Sequence, residues 1–200
     1  MNKDRETSGH WFFDLITMFS PDPDRIKVTG TPEEMITQAG REAFVVSSAA
    51  GLVPGPLVFA AIVPELVSVT KIQLNLVRRI ARHYGSDTKM DKTLLLLIFG
   101  EALGLALGKS LTRRAGTRLV IRVLETQVAK AVARKIGSRI VTKAIQESVV
   151  RWIPLVAAPV LGAFSRSMTV RIGRQADKLF SQGVVIDEHP ASTSRTGQAV

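Results

Sequence analysis

The stretch RRAGTRLVIRVLETQVAKAVARKIGSRIVTKAIQESVVR, from Arg113 to Arg151, carries the pattern on which the architecture turns. Within it Val120, Leu124, Val128, Val132, Ile136, Ile140 and Ala144 recur every four residues. Arg118, Arg122, Lys130 and Arg134 keep the same period, offset by two. Four residues is close to one helical turn of about 3.6, so the first set forms an apolar ridge. An offset of two is about 200° of rotation, which places the basic set on the opposite face. The pattern predicts one long basic amphipathic helix, with a break near Gly137. Such a helix can lie on an anionic membrane surface, bind an acidic partner, or cover a core.

Charge strengthens the membrane alternative. Between Lys109 and Arg151 eleven basic side chains stand against two acidic ones, Glu125 and Glu147. Each basic residue near an anionic surface is worth about 1 kcal/mol. The candidate membrane or anion contacts are Arg113, Arg114, Arg118, Arg122, Lys130, Arg134, Lys135, Arg139 and Lys143. Over all 200 residues the formal net charge is +10, with a pI of about 10.5 and a mean hydropathy of +0.17. Nucleic acid, anionic lipid and acidic proteins are all eligible partners for such a charge. Nucleic-acid binders usually carry a more polar surface, so the combination favours membrane. The chain has no cysteine, which excludes disulfides, thiol catalysis and sulfur-ligated zinc. Trp11 to Phe19 is apolar but short, holds Asp14 and lacks a small-residue cleavage site, so it does not read as a secretory signal. The expected location is the cytoplasm or the inner face of the cytoplasmic membrane.

Outward from the basic stretch the chain reads as helices. His10 to Ser20 predicts a short amphipathic helix with Trp11, Phe12, Phe13, Ile16 and Phe19, either a membrane anchor or a terminal helix docked on the core. Pro21 to Asp24 reads as a linker. Thr31-Pro32-Glu33-Glu34 is a helix start with a capping threonine, an early proline and a capping-box glutamate. That helix runs toward Ala50 and ends at Gly51 and Pro54-Gly55-Pro56. A second helix is predicted from about Val63, with Pro64 early in it, to Tyr84. It turns Leu66, Val69, Leu76, Val77, Ile80 and Tyr84 inward and Lys71, Arg78, Arg79 and Arg82 outward. Tyr84-Gly85-Ser86 is a stop. A third is predicted from about Lys89 to Leu111, and a last region follows Pro154 and Pro159 to about Phe180. Residues 1–9 and Ser181–Val200 are expected to be polar, mobile ends. Alternating strand patterns are not evident, so the expected class is all-α, a compact bundle of about five to seven helices. The divisions are 1–30, 31–180 and 181–200.

No segment makes a clean membrane span of roughly twenty apolar residues. Phe44 to Val67 is cut by Pro54-Gly55-Pro56, Leu94 to Gly108 holds Glu101, and Trp152 to Phe164 has two prolines. These segments fit core helices, a re-entrant hairpin or a conditional insertion. Gly104 to Ser110 superficially suggests a phosphate loop, but three residues instead of four separate the glycines and no βαβ pattern surrounds them. Gly100, Gly104 and Gly108, spaced by four, read better as a smooth helix face for close packing. Glu42, Glu65 and Glu101 lie in apolar surroundings, where a buried carboxylate can serve acid–base chemistry or pair with an arginine. His10, His83 and His189 are scattered, so neither a metal nor another cofactor is expected. Ser47 and Ser48 lack the Gly-x-Ser-x-Gly setting of a serine hydrolase.

Several phrases resemble the EcsC-like family over roughly residues 35 to 180. They are Ala50-Gly51-Leu52-Val53-Pro54-Gly55-Pro56, Ile72-Gln73, Ile80-Ala81-Arg82-His83-Tyr84-Gly85, Ile153-Pro154-Leu155-Val156, Leu161-Gly162-Ala163 and Ile172-Gly173. A similar order occurs in the hydrophobic helical domain of unknown function behind some bacterial GTPase domains. No GTPase domain precedes these phrases in the 200 residues, and Val156-Ala157-Ala158-Pro159 stands where a glycine typically follows the Ile-Pro element. The resemblance singles out Gln73, Tyr84, Gly85 and Pro154. It implies an all-helical, membrane-associated bacterial protein, with no catalytic residues to carry over. The expected function is a non-enzymatic helical protein at the cytoplasmic membrane face, an accessory of a membrane complex such as a transporter. The alternatives are a nucleic-acid-binding module using the basic helix, or an enzyme using Glu65 or Glu101.

Overall fold

The computed structural model describes residues 10–18, 28–52, 57–86, 90–116, 118–147 and 154–187. The chain runs α1 (His10–Met18), α2 (Pro32–Ala50), α3 (Leu57–His83), α4 (Lys92–Ala102), α5 (Gly108–Leu111), β1 (Thr112–Ala115), β2 (Arg118–Arg122), α6 (Thr126–Glu147), α7 (Pro154–Phe180) and β3 (Val184–Asp187). The class is mostly helical, with a three-stranded sheet that the all-α expectation omitted. Residues 1–9, Phe19, the Pro21–Asp24 linker, Pro54-Gly55-Pro56, Arg151 and 188–200 lie outside the described residues.

α2 begins as its sequence predicts. The Thr31 hydroxyl accepts from the Glu34 amide at 3.3 Å, and Glu34 Oε2 accepts from the Thr31 amide at 2.8 Å. Two orphan donors at the helix end are thereby satisfied. α7 lies antiparallel along α2, and the two come close at glycines. A Cβ on Gly162 would stand 2.8 Å from Phe44 ring carbons, and one on Gly173 would stand 2.6 Å from Ile36 Cγ1. α3 completes this layer. Ser47 Oγ on α2 donates to Ser165 Oγ on α7 at 2.6 Å, and Thr169 Oγ1 donates to the Ser165 carbonyl at 2.8 Å. Gln73 Nε2 on α3 donates to Thr169 Oγ1 at 3.1 Å, so buried polar atoms on three helices satisfy one another.

α3 starts at Leu57, not near Val63, so Pro64 sits eight residues into the helix. The Pro64 carbonyl accepts from Ser68 Oγ at 2.9 Å. Tyr84, expected inward, is 38% exposed. Gly85 (φ +66°) stops the helix: its amide donates to the Arg82 carbonyl and the Ser86 amide to the Ala81 carbonyl.

α4 is buried continuously from Thr93 to Gly100, so it forms the centre of the core. It ends at Ala102, nine residues short of the Leu111 end expected. Gly104 (φ +75°) takes the left-handed position after the helix, and the Leu105 amide closes back on the Gly100 carbonyl at 2.8 Å. The Gly100-Gly104-Gly108 ridge therefore does not exist. Gly100 receives the Leu107 side chain, Gly104 has open space around it, and Gly108 begins α5. The close helix approach expected of those glycines occurs at Gly162 and Gly173.

The predicted long basic helix is two different elements. Arg113, Arg114, Arg118 and Arg122 lie on a β-hairpin, with β1 antiparallel to β2 and Gly116 (φ +62°) in the connecting turn. Only Thr126–Glu147 is helical, and Gly137 is buried within it without breaking it. The buried stripe of α6 is Ala129, Ala133, Ile136, Gly137 and Ile140, while Val128 of the expected ridge is 45% exposed. β3 pairs parallel with β2, aligning Leu119 with Val184 and Arg122 with Asp187. Four residues of the expected mobile tail are thus a strand.

α1 packs on α4 and α6 as the core-docked alternative predicts. Phe12 is fully buried, its ring centroid 5.2 Å from that of Phe99. Lys92 and Lys130 both lie over the Phe13 ring, at 5.8 and 5.9 Å from its centroid. Among the described residues, no helix is long and apolar enough to cross a membrane.

Candidate anion-binding face and cleft

Side chains alternate across a strand, and directly paired residues share a face. On the inner face Leu119, Ile121 and Val184 join the core. On the outer face the register sets Arg113, Val120 and Val185 in one row, with Arg118 and Arg122 on either side along β2. The three arginines are exposed, and Val120 and Val185 are half-buried between them. Lys109, exposed on α5, and Arg114 extend the positive charge around the hairpin. Among the described residues, no salt bridge neutralises Arg113, Arg114, Arg118 or Arg122.

The α6 cations are arranged differently. Lys130, Lys135 and Arg139 are exposed, whereas Arg134 and Lys143 are half-buried beside the apolar stripe. Arg134 Nε is buried without a hydrogen-bond partner among the described residues. The basic set flanks the stripe instead of standing opposite it, and the structure divides the nine predicted cations between the hairpin and a helix.

Arg114 is on the inner face, paired with Leu119, and reaches a cleft of about 240 Å³ where α4, the hairpin and the end of α7 meet. Leu97, Leu119 and Leu179 give it an apolar floor. Its polar groups are Glu101, Thr112, Arg114, Gln175, Lys178 and Gln182. Glu101 Oε1 accepts from the Gly108 amide at 2.6 Å, and Thr112 Oγ1 donates to the Gly108 carbonyl at 2.6 Å. The turn that interrupts the expected third helix is therefore what holds the carboxylate in place.

A second opening of about 340 Å³ runs between α2 and α7 and includes Phe44, Arg166, Val170, Arg171 and Arg174. Arg174 is 3.9 Å from Glu33, both well exposed, a geometry worth little to stability. Sequence reasoning overlooked Arg166, Arg171, Arg174 and Lys178, although the last three, spaced by three and four residues, mark one helix face.

The other sequence candidates do not converge. Glu42 accepts from Gln38 Nε2 at 3.0 Å on the surface of α2. Glu65 is 7% exposed on α3 and has an interaction partner. Neither lines the Glu101 cleft. His83 is exposed, edge-on to Tyr84. Of the residues the resemblance singles out, Gln73 joins the buried polar seam and Gly85 ends α3. Tyr84 Oη donates to Asp177 Oδ1 at 2.9 Å, which raises the phenol above its ordinary value of 10.0, with partial burial adding to the effect. Pro154 is the first residue of α7. Among the described residues, no three histidine or acidic side chains gather as they would around a metal ion.

No family model, no curated protein and no solved structure gives a significant match to the chain.

Proposed function

We propose that the protein is a non-enzymatic, EcsC-like helical protein that docks on the anionic, cytoplasmic face of a membrane, as an accessory of a membrane complex such as a transporter. The observation that carries this reading is the outer sheet face, where exposed Arg113, Arg118 and Arg122 surround Val120 and Val185. The register places the three arginines on one face of a short sheet, where three cations stand against one carboxylate, Asp187 beside Arg122, and a net positive face suits a surface of phosphates. At about 1 kcal/mol for each cation these three contribute about 3 kcal/mol, reduced by the exposed Asp187 beside Arg122, which suits weak reversible binding. The resemblance of the motifs at Tyr84-Gly85, Gly162 and Gly173 supports the EcsC-like assignment, since each of these glycines meets a geometric demand.

Co-sedimentation with vesicles tests the docking. Vesicles containing phosphatidylserine are expected to pull down the protein, and phosphatidylcholine vesicles to leave it in solution. Raising salt from about 0.1 M to 1 M shortens the screening length from about 10 to 3 Å and is expected to release it. Combined Arg113→Glu, Arg118→Glu and Arg122→Glu replacement is expected to abolish sedimentation while circular dichroism is unchanged. Binding that survives this triple replacement overturns the sheet-face reading. Salt-sensitive binding to duplex or single-stranded nucleic acid with none to lipid moves the assignment to nucleic acid.

A further inference from the structure

The cleft between α4, the hairpin and α7 brings opposite charges to one opening. Glu101, Arg114 and Lys178 all line it, yet no ion pair within 4.0 Å links the carboxylate to either cation among the described residues. Arg114 and Lys178 are exposed and Glu101 is half-buried, so water screens the cations from the carboxylate and leaves each charge available to a ligand. The Gly108 amide pins Glu101 Oε1, and Arg114 is carried on β1 opposite Leu119. Among the described residues Glu101 Oε2 has no hydrogen-bond partner.

We propose that this cleft binds a small zwitterion, its ammonium on Glu101 Oε2 and its phosphate or carboxylate between Arg114 and Lys178. The Gln175 and Gln182 amides and the Thr112 oxygen, whose own proton is spent on the Gly108 carbonyl, supply neutral hydrogen bonds around it. The apolar floor of Leu97, Leu119 and Leu179 accepts the carbons between the two charges. The volume of about 240 Å³ is below the roughly 300–1,000 Å³ of sites for drug-sized molecules, so the ligand is the size of a headgroup or an amino acid. This binding is separate from docking through the outer sheet face, which uses Arg113, Arg118 and Arg122.

O-Phosphoethanolamine is the probe, measured by calorimetry on the full chain, with inorganic phosphate and ethanolamine as half-ligands. Each half-ligand is expected to bind about ten- to hundredfold more weakly than the whole, since it forgoes one charge-assisted contact. Glu101→Gln keeps an oxygen for the Gly108 amide and so keeps the turn. It is expected to weaken phosphoethanolamine by the same factor and to leave phosphate unchanged. Lys178→Gln, at an exposed helical position, is expected to weaken both. Vesicles of phosphatidylcholine with and without phosphatidylethanolamine separate the sources. A gain in sedimentation on adding the ethanolamine lipid that Glu101→Gln removes identifies a lipid headgroup. Binding of soluble phosphoethanolamine with no such gain identifies a free zwitterion. Phosphate binding as tight as phosphoethanolamine, indifference to Glu101→Gln, or no binding of either form overturns the proposal.

Discussion

Gly104 and Gly162 both fall in apolar runs of sequence, and they are glycine for different reasons. Gly104 has nothing within 4 Å of an added Cβ but holds φ at +75°. Gly104→Ala is therefore expected to cost about 1–2 kcal/mol of backbone strain. Gly162 has ordinary freedom but no room, with Phe44 ring carbons 2.8 Å from an added Cβ. Gly162→Ala is expected to cost about 1–3 kcal/mol through displaced packing. Urea denaturation checks both, and the two substitutions should add, because Gly104 lies beside the hairpin and Gly162 between α2 and α7. At Tyr84 the prediction concerns pH. Hydrogen bonding to Asp177 favours the neutral phenol in the folded state and raises its titration above 10.0. A raised folded value means that the stabilisation is fully present below the unfolded value and is lost as pH climbs from there through the folded value. Tyr84→Phe is expected to cost less than about 1 kcal/mol at neutral pH. The gap between variant and wild-type stability should close above about pH 10; a gap that stays constant with pH would show the hydrogen bond to be irrelevant.

Among the elements, α2 and α7 were the most legible, and the hairpin the least. The start of α2 is written in four consecutive residues that act on one another locally. Thr31→Ala is expected to lower stability by about 1 kcal/mol, measured by thermal unfolding. The hairpin was misread because Val120 and Leu124 keep the four-residue period that α6 continues, while Leu119-Val120-Ile121 has no polar residue to mark alternation. Val120 counts as outward only because Val185 and Arg113 flank it there, and that information comes from pairing. The strand signal was nevertheless present: a β-branched pair between two arginines just after Gly116. β3 was missed although Val184-Val185-Ile186 is a β-branched run, because the rest of the tail is polar with Gly and Pro. Its role is to close β2 on one side, and Val184 beside Leu119 seals the inner face. Val184→Asp is expected to destabilise the fold by about 2 kcal/mol or more, with loss of amide-exchange protection at Leu119 and Ile121.

Across the whole molecule, charge was readable in amount but not in arrangement. Composition shows a surplus of cations, but only folding sorts Arg113, Arg118 and Arg122 onto one sheet face and Arg114 toward Lys178. Lys178 lies more than sixty residues from Arg114 in the chain, too far for any local period to connect them. Glu101 stood out in the sequence as a carboxylate in an apolar run, but the turn that anchors it looked like helix. The two basic regions should contribute unequally to vesicle binding. Lys135→Glu with Arg139→Glu on α6 is expected to weaken sedimentation on anionic vesicles by about tenfold or less. Reversal of the three sheet arginines is expected to remove it. A larger loss from the α6 pair would transfer the docking face to that helix.

The chain of hydroxyls and amide that runs Ser47–Ser165–Thr169–Gln73 also acts as a vernier between helices. Leucine, valine and alanine make nearly equivalent contacts if one helix slides by a turn, about 5.4 Å, along its neighbour. Such a slip would carry Ser165 away from Ser47 and Thr169 away from Gln73, leaving each pair stranded in an apolar seam. Each orphaned group would raise the shifted packing by about 1–3 kcal/mol. An interface whose apolar surfaces could settle in several places is thereby keyed to one.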